Sequence, residues 1–343
     1  MTDMDENSGL CPLCFTPLVK GGCPLCKARG RKNRPDARTL PAYSLLKGRY
    51  RVGGVLGAGG FGITYAALDR LTGARVAIKE YFPDRLVTRG EGGGILPVNS
   101  DSRLAFMTSK ARFAEEAKHM AELRNVEGVA AVLDFFAERG TMYIVMEYLD
   151  GVTLGTYLAK SGKVPFAHAY ALLRPVMTAL SRLHAAGFIH GDVAPDNIML
   201  RESGATLFDF GAVVHSDVFE GARRVTLKKG YAPPEQYNAG MVLSPSADVY
   251  ALGATLYRCV CGAVPPESVL RERKDTMKKP SACGAKITAE EEAALMRCLE
   301  TSADARFPDM RSAADALDAA VEKDKRCGAT RDKLLEKLLG ATR

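Results

Sequence analysis

The stretch Phe188-Ile-His-Gly-Asp-Val-Ala-Pro-Asp-Asn-Ile-Met-Leu200, with Asp209-Phe210-Gly211 nine residues beyond it, restricts this chain more than any other feature. The five-residue step from Asp192 to Asn197 lets one loop aim a carboxylate at an attacking hydroxyl and an amide oxygen at a metal. Asp209, reached through the apolar run Ala205-Thr206-Leu207-Phe208, can bring a second oxygen to that metal. Transfer of a phosphoryl group asks a protein for little covalent chemistry and for such oxygens in fixed positions. Alone, Asp209-Phe210-Gly211 could equally be an ordinary turn after a strand.

The order of the other motifs gives the turn its meaning. Val55-Leu-Gly57-Ala-Gly59-Gly60-Phe61-Gly62-Ile-Thr64 sets glycines between two strand-like runs, where missing β-carbons let backbone amides approach phosphate oxygens. By itself this run would also suit a dinucleotide fold or a plain hairpin. Seventeen residues past Gly62, Val76-Ala77-Ile78-Lys79 ends a strand-like run on an ammonium that suits phosphate oxygens. In the helical segment 111–123, Phe113, Ala117, Met120 and Leu123 form an apolar stripe. Glu116 lies beside that stripe and is the expected partner of Lys79; Glu115 reads as a solvated face charge.

On these residues the chain resembles eukaryotic-type Ser/Thr protein kinases of the bacterial kind, over roughly residues 48 to 322. Tyr143-Ile-Val-Met146-Glu147-Tyr148-Leu149 resembles the strand and hinge that face adenine, with Met146 as gatekeeper. Gly230-Tyr-Ala-Pro-Pro234-Glu235 resembles the end of an activation segment, and Arg306 the buried arginine that pairs with Glu235. Ser246-Ala-Asp248 resembles the helix start whose aspartate holds the catalytic loop. The resemblance implies Asp192 as catalytic base, Lys79 and Glu116 as the phosphate-orienting pair, and Asn197 and Asp209 as ligands of Mg²⁺ or Mn²⁺. It implies ATP against Gly57, Gly59, Gly60, Phe61, Gly62, Thr64, Ala77, Lys79, Met146, Glu147 and Leu149. Met120, His190 and Phe210 would belong to a stacked spine. Protein substrates bearing Ser or Thr, and autophosphorylation, are implied as well, with Ser216 and Thr226 as acceptors if they are more than loop hydroxyls.

Three departures from the family pattern lie near the chemistry. Gly191 stands where most relatives have the arginine that clamps a phosphorylated activation segment, which argues against that control. Ala194 stands where Ser/Thr kinases usually carry a lysine touching the γ-phosphate, which implies slower transfer. Thr64 replaces valine with nearly the same shape. The His190-Gly191-Asp192 run is also similar to small-molecule phosphotransferases, but those lack the counterpart of Glu235 with its distant arginine.

Cys11-Pro-Leu-Cys14 and Cys23-Pro-Leu-Cys26 place four thiols at the spacing of one tetrahedral Zn²⁺, with Gly21 and Gly22 easing the return between the turns. A redox or disulfide pair is the alternative. A segment this short would take its folding energy from the metal. Cys259, Cys261, Cys283, Cys298 and Cys327 lack ligand spacing and read as reduced thiols, which with the polar N-terminus and no long apolar run points to the cytoplasm and to no membrane span.

The net charge of +7 is uneven: +4 resides in residues 1–47 and +4 in 323–343, leaving about −1 for 48–322. Arg29, Arg31, Lys32, Arg34 and Arg38 with Pro35 and Pro41 read as a flexible basic tether; no aromatics interleave the charges, so a protein-docking ribbon is favoured over nucleic-acid binding. The tail Arg331-Asp-Lys-Leu334-Leu335-Glu-Lys-Leu338-Leu339 has helical apolar spacing and is expected to dock on the chain's own larger domain, in preference to a partner or, weakly, a membrane. The long connection from Lys79 to Glu116, with Arg89-Gly-Glu-Gly-Gly-Gly94, reads as a mobile surface loop, or else a flap beside the nucleotide.

The expected class is α+β: a bilobal protein-kinase fold with a β-rich N-lobe and an α-helical C-lobe, preceded by a small zinc ribbon. The expected divisions are a ribbon at 1–28, a basic linker at 29–47, a kinase domain at 48–322 and a basic amphipathic tail at 323–343. A pseudokinase scaffold recruiting partners through the ribbon is the rival reading, supported by Gly191 and Ala194 and opposed by the presence of Lys79, Asp192, Asn197 and Asp209. A third reading is a zinc-ribbon nucleic-acid binder with a regulatory kinase attached.

Overall fold

Alternating apolar positions and glycine-marked turns build the first half of the chain as strands, and the helical spacing that begins at Leu154 builds the second. The computed structural model describes residues 9–11, 13–20, 22–28, 36–123, 126–209, 212–215, 227–238 and 241–322. The described residues form two compact units, one of residues up to 123 with 131–149, the other of 126–130 with 150–322.

The first unit opens with a short helix α1 (Pro24–Ala28) and continues as β1 (Leu45–Leu46), β2 (Tyr50–Ala58), β3 (Gly62–Asp69), β4 (Arg75–Tyr81), β5 (Val87–Arg89), β6 (Ile95–Pro97), α2 (Ser100–Glu122), β7 (Val132–Glu138) and β8 (Thr141–Glu147). An antiparallel sheet runs in the order β1-β2-β3-β4-β8-β7. Strand registers put Thr64 beside Lys79 beside Ile144, and Ala66 beside Ala77 beside Met146, so these side chains share one face. Tyr81, on that face, packs its ring on Phe106 and Phe113 of α2 at 6.0 and 5.0 Å. The anticipated stripe Phe113, Ala117, Met120 and Leu123 is buried.

The opposite face buries Tyr65, Ile78, Glu80 and Tyr143. Glu80 accepts hydrogen bonds from Tyr65 Oη at 2.9 Å and Tyr143 Oη at 2.8 Å, and its other neighbour is the Arg89 guanidinium at 2.5 Å. Arg89 corrects the expectation of a mobile loop here, because 87–97 is a β-hairpin. Val87 and Ile95 are buried, Gly92 and Gly93 take the positive φ of the turn, and Arg89 also donates to the carbonyls of Arg38 and Gly93. Residues 36–47 carry β1 and the buried Leu40 and Leu46, with Leu40 N donating to Tyr65 Oη at 3.0 Å.

The second unit contains β9 (Val152–Thr153), α3 (Leu154–Ser161), α4 (Phe166–Ala185), β10 (Phe188–Ile189), β11 (Ile198–Arg201), β12 (Gly204–Leu207), β13 (Val214–His215), α5 (Ser246–Cys261), α6 (Ser268–Arg273), α7 (Ala289–Cys298) and α8 (Met310–Glu322). Buried α4 packs on α5 and α8, and Asp318 of α8 takes Arg174 Nη2 of α4 at 2.7 Å. The small sheets β12-β11-β9 and β10-β13 hold the two motif-bearing loops. A β-rich unit and a helical unit are the two halves expected of the α+β class. The end of the chain from 323, Ser216, Thr226, Phe210, Gly211 and residues 29–35 of the basic linker lie outside the described residues. Among the described residues, no helix is long and apolar enough to cross a membrane.

Candidate active site

In the first unit the glycine-rich run forms the β2–β3 turn. Gly59 N donates to Gly62 O at 2.9 Å, and the turn is tied to the end of β4 by Phe82 N to Phe61 O at 3.0 Å and Asp84 N to Gly60 O at 3.2 Å. Gly62 is required by the fold, since a β-carbon there would lie 2.7 Å from Glu80 O. Gly57 and Gly59 are not, because a β-carbon at either would meet nothing within 4 Å. Among the described residues, nothing crowds either position. Lys79 and the anticipated adenine-side residues Thr64, Ala77 and Met146 occupy the shared sheet face; Met146 is buried, and Glu147 N bonds back to Ala131 O at 2.9 Å. Glu116 lies on α2, but its side chain is outside the described residues. Glu115 is exposed and pairs with Lys118 at 2.6 Å, as a solvated face charge would.

In the second unit the loop after β10 is fastened from beneath. The Asp248 carboxylate, fully buried at the start of α5, accepts His190 N at 2.8 Å and Gly191 N at 2.9 Å, and its Oδ2 lies 2.9 Å from His184 Nε2. Burial opposes the charge on Asp248, but the hydrogen bonds and nearby histidines hold its pKa below the usual carboxylate range. His184 is thus a packed histidine with a structural partner. Gly191 has φ +73°, and a β-carbon there would lie 2.8 Å from Ala212 O.

Asp192 and Asn197 are brought together directly. Asn197 Nδ2 donates to Asp192 Oδ2 and to Asp192 O, both at 2.8 Å, which turns its Oδ1 the other way. Phe208 N donates to Asn197 O at 3.0 Å, setting the following Asp209 beside the same loop. Asp209 has φ +64°, a left-handed backbone that a non-glycine residue adopts at a cost and that concentrates at functional sites. Burial pushes the Asp192 carboxyl above its ordinary pKa, while Lys228 and His190 pull it down. Lys228 Nζ sits 3.2 Å from Asp192 Oδ2, a contact that sequence reasoning missed. The only signal for it was a pair of lysines directly before Gly230. Further along, Glu235 and Arg306 meet as expected, at 2.6 Å and buried.

A second cluster lies in the first unit. The Sγ atoms of Cys11, Cys14, Cys23 and Cys26 lie within 4.8 Å of one another, with 11–26, 14–23 and 14–26 separations of 3.6, 3.5 and 3.3 Å. Four sulfurs about 2.3 Å from one tetrahedral ion would stand about 3.8 Å apart. Leu13 N and Cys26 N point at Cys11 Sγ and Cys23 Sγ, as amides do around metal thiolates. This knuckle docks on β2: Gly54 N donates to Leu13 O at 2.8 Å, and a β-carbon on Gly53 would lie 2.7 Å from the Phe15 ring.

A family model described as "Protein kinase domain" matches residues 50–326. Serine/threonine-protein kinase PknA of Mycobacterium tuberculosis is 33% identical over 228 residues, which is 64% of this chain and 48% of that protein. Serine/threonine-protein kinase B of Synechocystis sp. is 27% identical over 330 residues, 91% of this chain and 52% of that protein. A solved structure described as "PpkA-294 apo form" aligns with a TM-score of 0.72 at 29% identity, covering 82% of this chain and 99% of that one. The chain spans about half the length of the curated relatives it matches.

Proposed function

This chain belongs to the protein kinase domain family, and from that premise we propose that it is an ATP-dependent kinase acting on Ser or Thr hydroxyls of proteins. The acceptor oxygen attacks the γ-phosphorus, the bond to the β,γ-bridging oxygen breaks, and ADP leaves with that electron pair. Asp192 takes the hydroxyl proton. The observation that carries this reading is the loop clamped by Asp248, in which Asn197 bonds Asp192 while its carbonyl receives the amide of Phe208 beside Asp209. A base and two metal-ligand oxygens would then share one hydrogen-bonded support.

Asn197 Oδ1 and the Asp209 carboxylate would hold Mg²⁺ or Mn²⁺. When bound, such an ion neutralises charge on the β- and γ-phosphates. Gly57 and Gly59 leave the room that phosphate oxygens need next to backbone amides, and Lys79, oriented by Glu116, would supply the ammonium. Thr64, Ala77, Met146, Glu147 and Leu149 would line the adenine side. Cys11, Cys14, Cys23 and Cys26 would hold Zn²⁺; four thiolates leave no open position, so its part is structural. The buried Glu235–Arg306 pair supports a protein acceptor over a small molecule. Gly191 brings no guanidinium to clamp a phosphate, which fits activity without phosphorylation of the activation segment. Free thiols at Cys259, Cys261, Cys283 and Cys298 fit a reducing compartment such as the cytoplasm.

The test is incorporation of labelled γ-phosphate from ATP and Mg²⁺ into the chain itself and into a generic basic protein. Transfer by the wild type that is lost in Asp192→Ala and in Lys79→Met is expected. Nucleotide binding without transfer would favour the scaffold reading.

A further inference from the structure

The catalytic loop has no cation of its own beside Asp192. Ala194, two residues on, is 1% exposed and uncharged. Yet Asp192 is not without one, because Lys228 reaches it from a different segment of the second unit. We propose that Lys228 is the positioning residue of the transfer reaction, supplying from the approach to Pro234-Glu235 the positive charge that the loop lacks at Ala194. This rests on Asp192 acting as the base.

Lys228 is not a surface lysine that happens to fall near an acid. Its side chain is 29% exposed, whereas that of Lys229 is 79% exposed and pairs with Glu267 at 3.0 Å. The turn that carries it is built to hold position. Tyr231 N and Ala232 N both donate to Lys228 O, at 2.9 and 3.0 Å. Gly230 takes φ +82° where a β-carbon would lie 2.5 Å from Pro265 O, so only glycine allows that approach. Ser268 Oγ donates to Ala232 O at 2.8 Å, and Gln236 Nε2 donates to Gly191 O at 2.7 Å, tying this segment to the loop itself. Asp192, Lys228, Tyr231 and Gln236 line one small pocket.

The chemistry follows from which oxygen is engaged. Lys228 Nζ and Asn197 Nδ2 both address Oδ2 of Asp192, which fixes the carboxylate plane and leaves Oδ1 for the proton of an acceptor. Lys228 is a cation that reaches Asp192 from outside the loop. Its loss leaves Oδ2 held by Asn197 alone, so the carboxylate is less firmly oriented toward an acceptor hydroxyl.

The experiment uses the whole 343-residue chain and measures kcat and KM for ATP for Lys228→Met, Lys228→Arg, Lys229→Met and Asp192→Asn. For Lys228→Met the expected result is kcat down by about 10- to 100-fold with KM for ATP little changed. Lys228→Arg should recover most of the rate, and Lys229→Met should match wild type. Adding Ala194→Lys to Lys228→Met should restore part of kcat. A Lys228→Met enzyme with wild-type kcat overturns the proposal, and one with raised kcat overturns it in favour of a lock on the base. In both cases an inactive Asp192→Asn keeps the kinase reading standing. A wild type that binds nucleotide but transfers nothing overturns both readings.

Discussion

Arg89 closes a 2.5 Å ion pair with Glu80 on the buried face of the sheet, one residue beyond Lys79. Both side chains are almost wholly removed from solvent, and the carboxylate has two tyrosine hydroxyls as its other donors. A buried carboxylate that loses its guanidinium keeps its desolvation cost and loses its compensation. Arg89→Met is therefore expected to destabilise the first unit by about 3–5 kcal/mol. Arg89→Met with Glu80→Gln should recover a large part of that, and urea unfolding of the three proteins measures both.

Asp248 exerts its effect through backbone. Asp248→Asn would turn an amide N–H toward one of the two backbone N–H groups it now receives, loosening the His190–Asp192 segment. Because displacement of a reacting group by about 1 Å can cost roughly 100-fold, kcat should fall by that order while ATP affinity holds. Steady-state kinetics with calorimetric titration of ATP separates the two effects. Equal loss of both would mean that the second unit has unfolded.

The four-cysteine knuckle is seated on the strand that leads into the glycine-rich turn. Removal of metal, by chelation or by Cys14→Ser, is expected to release Leu13 and Phe15 from Gly54 and Gly53. Amide exchange across Tyr50–Ala58 should rise, and nucleotide affinity should drop by about 5-fold or more. Gly54→Val should produce the same exchange pattern with metal still bound, since its side chain would strike Leu13. Retained protection of β2 in the metal-free protein would show that the docking stands without the ion.

Asp69 gives the acid response of the first unit a definite sign. Hydrogen bonds from Arg49, at 2.8 and 2.7 Å, hold its pKa down at about 2. A folded-state pKa below the unfolded one contributes stability above the ordinary carboxylate range near 4, and that contribution fades as pH falls toward 2. Arg49→Met is expected to lower stability at pH 7 and to differ little from wild type near pH 2. Denaturant midpoints at both pH values test it.

The buried Glu235–Arg306 pair offers a comparison within the second unit. Arg306→Leu strands Glu235 and should cost about 3–5 kcal/mol, whereas Arg306→Leu with Glu235→Leu should cost markedly less. Thermal unfolding of the single and double variants is the measurement. A single variant as stable as wild type would remove this pair from the account of the fold.

The sequence by itself determined what is local. Glycines at 57, 59 and 62, the strand that carries Lys79, the Asp192 to Asn197 step and the paired Cys-x-x-Cys turns each encode their geometry within a few residues. Helical spacing likewise marked Phe113, Ala117, Met120 and Leu123 as a buried stripe before any fold was known. The three-dimensional structure alone decided what depends on long-range approach. Nothing near Arg89 announces that it will pair with Glu80, and the glycines around it read as mobility when they in fact supply a hairpin turn. Gly53 and Gly54 are ordinary strand glycines until a knuckle some 40 residues earlier lies against them. Lys228 is one of two adjacent lysines, and only the turn held by Gly230 and Gln236 distinguishes the one that faces Asp192 from the one that faces solvent. Charge pairs and close backbone contacts form between segments far apart in the chain, so their partners are set by packing and leave no periodic trace in the residues that make them.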